Sequence, residues 1–368
     1  MTSLTILGGG NTAFAVAANL ALRGFEVTLC EHPDFAWTLE PVRADRRIQL
    51  DGVAESGSAL IDRVTTSAAE ALENDLLLLI VPAYAHRAFA ELCAPHLRDG
   101  HIIVITPGTL GALEFAQVVR AAGNNSDILF AETDTAPYVC RKMGPDSAHI
   151  WGVVSGLGLG VYPATGTETV ADTLQGIFTR DGRSGQATAI SPYPNVFASG
   201  LSAMNPVVHP PGVLMNAGRV EYSHGDFYFY EEGVTPTVAN VIYAVDAERR
   251  AIGRAFGLDL TPVDAAFHAA GFGPKGDLWA TINGSRMLTQ LRAPGAIDTR
   301  WLTEDIPYGL AAWSLLAEQL GVDTPMMRSL VMLAGAALQR DFWPEARTPA
   351  KLGIAGMDGP SMSTYVAL

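Results

Sequence analysis

Three features predict an α/β fold in two parts. Unbroken aliphatic runs alternate with helical patterns through the first half, a glycine-rich turn joins the first strand to the first helix, and the texture changes after Ser191. Together they give an α/β Rossmann-type parallel sheet domain over 1–190 followed by a mostly α-helical domain over 191–368. Leu4–Leu7 is the first strand, and alanine-rich Ala13–Leu22 is a helix that stops at Gly24. Glu26–Glu31, Asp75–Val81, His101–Thr106 and Ile128–Glu132 follow as strands. Their aliphatic residues run without polar alternation, as in strands covered by helices on both faces. After Ser191-Pro192-Tyr193-Pro194, the segments Thr237–Phe256, Pro262–Ala270, Gly309–Leu320 and Pro325–Leu338 carry apolar residues at helical spacing.

The length of 368 residues suits two domains of about 150 residues or more. Hydrophobic residues make up 48% and charged ones only 17%, which excludes a highly charged disordered chain. A net charge of −14 opposes binding to nucleic acid or an anionic membrane surface. Cys30, Cys93 and Cys140 are odd in number and far apart, so neither a disulfide framework nor a metal site is expected. The longest apolar run is a strand's length, and no signal-type segment opens the chain. A soluble, cytoplasmic protein is expected.

Gly8-Gly9-Gly10-Asn11-Thr12-Ala13 is a GxGxxA fingerprint between a strand and a helix. Gly8 suits the tight turn, Gly10 lets a pyrophosphate approach, and Ala13 lets the helix pack on the strand. Asn11 and Thr12 complete the candidate cofactor-binding turn. Glu31 follows 21 residues after Gly10, where a carboxylate meets ribose hydroxyls and favours NAD. NADP stays an alternative, because His32, Arg43, Arg46 and Arg47 are near in sequence. Pro82 and Pro107 end the next two strands and are candidate walls of the cofactor site, or simple strand terminators.

His209 lies in Asn205-Pro206-Val207-Val208-His209-Pro210-Pro211, at the opening of the second domain. Moving a proton during hydride transfer needs a group titrating near neutrality, and imidazole meets that need. His86, His96 and His101 read as solvent-exposed, and His149, His224 and His268 lack a comparably rigid setting. In Arg300-Trp301-Leu302-Thr303-Glu304-Asp305-Ile306-Pro307-Tyr308-Gly309, Arg300 suits a substrate carboxylate, and either Glu304 or Asp305 could orient the imidazole. Asn205, Asn216 and Tyr230 are candidates to hydrogen-bond a substrate, and Glu132 to meet a cationic group on it. Each also has a plainer reading as helix cap, core aromatic or strand end.

Taken in order, the Gly8–Ala13 fingerprint, Ala131-Glu132-Thr133, Asn205…His209-Pro210…Asn216-Ala217-Gly218, Phe229-Tyr230-Glu231-Glu232-Gly233 and Arg300–Gly309 resemble the octopine/nopaline-type opine dehydrogenase family. The resemblance implies NAD(P)H-dependent reductive condensation of an α-keto acid, such as pyruvate, with an amino group. It also implies that His209 and Asp305 are the catalytic pair, in preference to Glu304, and that Arg300 anchors the keto acid. Asn11-Thr12-Ala13 departs mildly from the Asn-Gly-Ala common in that family. Two alternatives are a dehydrogenase of a hydroxy acid or sugar phosphate and a non-catalytic NAD sensor. Small-molecule substrates, no metal and a homodimer complete the expectation.

Overall fold

The computed structural model describes residues 3–178, 185 and 188–368. They separate into two compact units, Met1–Gly200 with Val366–Leu368, and Leu201–Tyr365. The division falls beyond the Ser191–Pro194 punctuation because the chain there is still completing the first unit's sheet.

The first unit holds strands β1 (Ser3–Leu7), β2 (Glu26–Cys30), β3 (Arg47–Gly52), β4 (Gly57–Leu60), β5 (Arg63–Thr65) and β6 (Leu76–Leu79). They are followed by β7 (Ile102–Ile105), β8 (Leu129–Thr133), β9 (Tyr138–Gly144), β10 (Ser147–Val153), β11 (Gly156–Tyr162) and β12 (Ala189–Pro192). The main sheet has the order β12-β11-β8-β7-β6-β1-β2-β5. Its six strands from β5 to β8 are parallel, in the doubly wound order whose reversal lies between β1 and β6. Beyond them β11 runs antiparallel to β8, a departure from the expected all-parallel sheet.

Helix α1 (Asn11–Leu22) explains its own alanine content. Every residue from Ala13 to Leu20 is buried. One side packs on β1 and β2, and the other is covered by a second sheet of order β4-β3-β10-β9. A helix between two sheets needs small side chains all round rather than one apolar stripe. Its buried Asn19 is satisfied by the Tyr138 hydroxyl at 2.7 Å and by the Glu55 amide at 3.2 Å. The unbroken-run criterion overlooks this second sheet, because β3 alternates: Ile48 and Leu50 are buried while Arg47, Gln49 and Asp51 are exposed.

Two carboxylates, one in β8 and one just after it, satisfy buried polar groups of this unit. The turn after β7 puts Thr109 and Leu110 at φ 51° and 67°, a conformation that costs non-glycine residues about 1 kcal/mol or more each. Glu132 offsets that cost: it accepts the Leu110 and Ala112 amides at 2.9 and 3.0 Å and the Ser199 hydroxyl at 3.2 Å. The helix Gly111–Ala121 thus gains a buried anionic cap. Gly108 makes room, since a Cβ there would lie 2.2 Å from that of Glu132. Asp134 accepts the Gly158 amide and the Tyr193 hydroxyl, both at 2.9 Å, and burial pushes its carboxyl up to about 6.

The second unit is helical. Its longer helices are Asn205–Met215, Pro236–Ala255, Ala312–Gln319 and Pro325–Leu338. Among its described residues the only strand-like pairing is an isolated bridge between Tyr228 and Arg292. Pro236–Ala255 begins with Thr235 accepting the Val238 amide and Pro236 in its first turn. Glu248 on this helix accepts the Met326 and Met327 amides at 2.7 and 2.9 Å, capping Pro325–Leu338 from outside. The expected Gly309–Leu320 helix begins as a π-helical turn, Asp305–Ala311, before α-helical Ala312–Gln319.

Glu132→Ala leaves the Leu110 and Ala112 amides without their carboxylate acceptor and is expected to cost about 2–3 kcal/mol. Thermal unfolding checks this, and an unchanged melting temperature contradicts it. The carboxyl of Asp134 is raised relative to the unfolded chain. Its contribution to stability is therefore full below about pH 4 and lost as pH rises through about 6. Asp134→Asn should gain melting temperature relative to wild type across that window; a constant difference contradicts the assignment.

Candidate active site

In the first unit, Gly8 sits at φ 125°, donates to the Cys30 carbonyl at 2.7 Å, and has no space for a Cβ against Ile80 and Val81. Gly10 differs. It precedes α1 with φ −80° and ψ −174°, and a Cβ on it would meet nothing. Neither backbone nor packing requires glycine there, so the position fits close approach by an external group such as a pyrophosphate. Ala13 is fully buried, as helix–strand packing requires.

Glu31 lies against this turn. Its carboxylate accepts the His32 amide at 2.8 Å and the Thr38 hydroxyl at 3.3 Å, and a Cβ on Gly9 would lie 2.7 Å from Oε2. Burial raises its pKa, opposed by hydrogen bonds from the His32 and Gly9 amides and the Thr38 hydroxyl. The cations near it in sequence have partners elsewhere. Arg43 pairs with Glu40 at 2.7 Å, Arg46 donates to the Asp62 carbonyl at 2.6 Å, and Arg47 donates to Ser58 at 3.4 Å. Asn11 and Thr12 turn toward β9: Asn11 Oδ1 accepts the Lys142 amide at 2.9 Å, and Thr12 Oγ1 is 3.7 Å from Cys140 Sγ. Pro82 and Pro107 follow β6 and β7, at the carboxyl ends of central strands. These residues fit a dinucleotide.

In the second unit, His209 lies in the helix Asn205–Met215, although Pro210 and Pro211 are inside it. Each proline removes an intrahelical hydrogen bond, so this helix relies on tertiary packing. Gly309 gives that packing its closeness: a Cβ there would be 2.4 Å from Pro206 Cβ. The contact brings the Asp305–Ala311 turn against the helix. His209 Nδ1 is then 2.8 Å from Asp305 Oδ2, with both residues only 9% exposed.

The other ring nitrogen, Nε2, is 3.1 Å from the Tyr230 hydroxyl. Tyr230 also stands on a π-helical turn, Phe229–Gly233, and such turns recur at functional sites. Asn216 pins this turn by donating to the Gly212 and Gly233 carbonyls at 2.8 and 3.0 Å. An ionised Asp305 accepts only, so Nδ1 carries a proton; in neutral imidazole Nε2 then accepts from Tyr230. Burial and the Asp305 charge push the Tyr230 phenol well above its ordinary range, keeping it a donor. The Trp301 ring stacks on His209 at 4.4 Å and 6°, and Phe229 meets Trp301 edge-on at 4.5 Å.

The two acids left open by residue type take different partners. Asp305 bonds His209, whereas Glu304 pairs with Arg300 Nε at 2.9 Å. The Arg300 side chain is 60% exposed, and Asn205 is exposed at the first residue of its helix. Glu132 lies in the first unit, with both oxygens on the amides described above. Trp301 was missed by residue-type reasoning, although it stands inside the Arg300–Gly309 segment. Two expectations need correcting: His86 and His101 are fully buried. His101 is held by the Leu72 carbonyl at 3.1 Å and the Arg98 amide at 3.1 Å, a core role invisible without the fold. Among the described residues no cluster suited to a metal ion occurs.

Residues 192–338 match the family model described as NAD/NADP octopine/nopaline dehydrogenase, alpha-helical domain. An opine dehydrogenase of Arthrobacter sp. (strain 1C) is 29% identical over 368 residues, covering 98% of each chain. A solved octopine dehydrogenase in complex with NADH and agmatine superposes with TM-score 0.76 at 19% identity, covering 96% of each chain. A yersinopine dehydrogenase with NADP+ bound gives TM-score 0.74 at 16% identity, covering 100% of this chain and 98% of the other. The solved structures establish the fold, and the resemblance to the octopine/nopaline-type opine dehydrogenases holds along the whole chain.

Gly309→Ala is expected to force the Asp305 turn from Pro206 and cost about 1–3 kcal/mol of packing. It should lower turnover without changing NADH affinity. Wild-type turnover from this variant contradicts the close-packing account.

Proposed function

We propose that this chain is an NAD(P)H-dependent oxidoreductase of opine dehydrogenase type. It condenses an α-keto acid such as pyruvate with the amino group of an amino acid, reduces the resulting imine, and oxidises the secondary amine in reverse. The observation that carries this reading is the buried His209, hydrogen-bonded to Asp305 on one ring nitrogen and Tyr230 on the other, within the segment matched by the octopine/nopaline dehydrogenase model.

Gly8, Gly10, Asn11, Thr12, Ala13 and Glu31, with Pro82 and Pro107, would hold the dinucleotide, which when bound supplies the hydride. The chain's own residues manage the proton and the anions. Asp305 fixes the tautomer and the orientation of His209. Nε2 faces away from Asp305, and the proton enters and leaves the ring there: it goes to the imine nitrogen in reduction and comes from the secondary amine in oxidation. Arg300 binds the keto-acid carboxylate, held in readiness by Glu304. Asn205 and Tyr230 supply hydrogen bonds on the amine side. Glu132 is assigned to the helix cap rather than to the amine. The helix behind Gly10 and the Arg300 guanidinium provide local attraction for anions in a chain of net charge −14. The reaction belongs to amino acid metabolism and to the cytoplasm, in keeping with three unpaired cysteines and with no described helix long and apolar enough to cross a membrane.

His209→Ala and Asp305→Asn are expected to reduce kcat by about 100-fold or more while leaving NADH affinity within about twofold. Arg300→Lys should instead raise KM for the keto acid. Turnover near wild type in either His209→Ala or Asp305→Asn contradicts the proton assignment.

A further inference from the structure

The second sheet brings a lysine to the glycine turn that the dinucleotide reading does not use. Lys142 is on β9, and its position is set from two sides. Its amide donates to Asn11 Oδ1 at 2.9 Å, tying the strand to the first turn of α1. Its ammonium lies 3.4 Å from the centroid of the Phe14 ring and 3.5 Å from the Gly9 carbonyl. Among the described residues no carboxylate closes an ion pair with it. Glu31 lies on the other side of Gly9, near enough for its charge to favour the ammonium, while burial lowers the Lys142 pKa. A half-buried ammonium held by one carbonyl and one ring face still lacks an anion.

The chemistry beside it calls for a phosphate. Gly10 leaves open space at the same turn, and a carbonyl and a ring face together fix the direction of the ammonium without neutralising it. The residues that sequence proximity put forward for a phosphate, His32, Arg43, Arg46 and Arg47, are engaged elsewhere, His32 with Asp34. We infer that Lys142, reaching over the turn from the second sheet, is the cation that contacts a phosphate of the dinucleotide. This rests on the reading of Gly8–Ala13 as a dinucleotide site. It makes the second sheet a working part of that site, with Glu31 facing ribose hydroxyls on one side of Gly9 and Lys142 facing phosphate on the other.

Binding of NADH, NADPH, ADP-ribose and adenosine to the intact protein, measured by calorimetry, tests the inference without turnover. Lys142→Met keeps the chain's length over Phe14, and Lys142→Arg keeps the charge; circular dichroism confirms that both fold. Lys142→Met is expected to weaken NADH, NADPH and ADP-ribose by about tenfold or more and to leave adenosine unchanged. Lys142→Arg should stay within about threefold of wild type. Weakening confined to NADPH also supports a phosphate contact and assigns it to the adenosine 2′-phosphate instead of the pyrophosphate. Equal affinities of wild type and Lys142→Met for all three phosphorylated ligands overturn the role of Lys142 while sparing the dinucleotide reading. Failure of the wild type to bind any of them overturns both.

Discussion

A hydrogen bond of 2.8 Å joins Asp305 to a histidine 96 residues earlier, and much of the second unit is organised to hold those groups at that distance. The histidine's helix contains two prolines, and the aspartate begins a π-helical turn; neither backbone is favourable alone. They persist because Gly309 lets the turn approach Pro206 and because Asn216 ties the Tyr230 turn to the end of the helix. Trp301 and Phe229 then exclude solvent around the imidazole. A buried imidazole with both nitrogens engaged is confined in tautomer as well as position. That confinement is what a group moving one proton in a defined direction requires.

The first unit is built around a different constraint, the enclosure of α1 between two sheets. Enclosure demands alanine and leaves the helix's N-terminal turn as the part open to a ligand, at Gly10. The same second sheet delivers Lys142 to that turn. Nearby, Glu132 and Asp134 show how buried carboxylates serve architecture. One is matched to amides at a helix start, and the other links β11 to Tyr193. Their acidity contributes to the net charge of −14 without defining a substrate.

Features governed by local pattern were legible in the sequence. The aliphatic runs correspond to five of the six parallel strands, β5 being too short to carry one, the glycine spacing to the turn before α1, and the helical spacing after residue 191 to helices of the second unit. The second sheet was not anticipated, because alternating Ile48 and Leu50 lack the unbroken run that marked the other strands. His209 stood out by its proline-bounded setting, yet the prolines suggested a rigid segment rather than a helix. Residue type alone left Glu304 and Asp305 equivalent. The family resemblance favours Asp305, and the fold supplies the physical reason, since the consecutive residues Glu304 and Asp305 face Arg300 and His209 respectively. The helix-capping role of Glu132 depends on a turn 22 residues away and has no signature in its own neighbourhood.

An opine dehydrogenase site of the kind proposed joins two carbon skeletons through nitrogen, so the identity of the product distinguishes it from a simple keto-acid reductase. NADH consumption should be followed with a keto acid alone, an amino acid alone, and both together, with mass spectrometry of the product. Consumption is expected only when both are present. The product's mass should equal the two substrates less one water plus two hydrogens. Equal consumption with the keto acid alone, yielding a hydroxy acid, would contradict it.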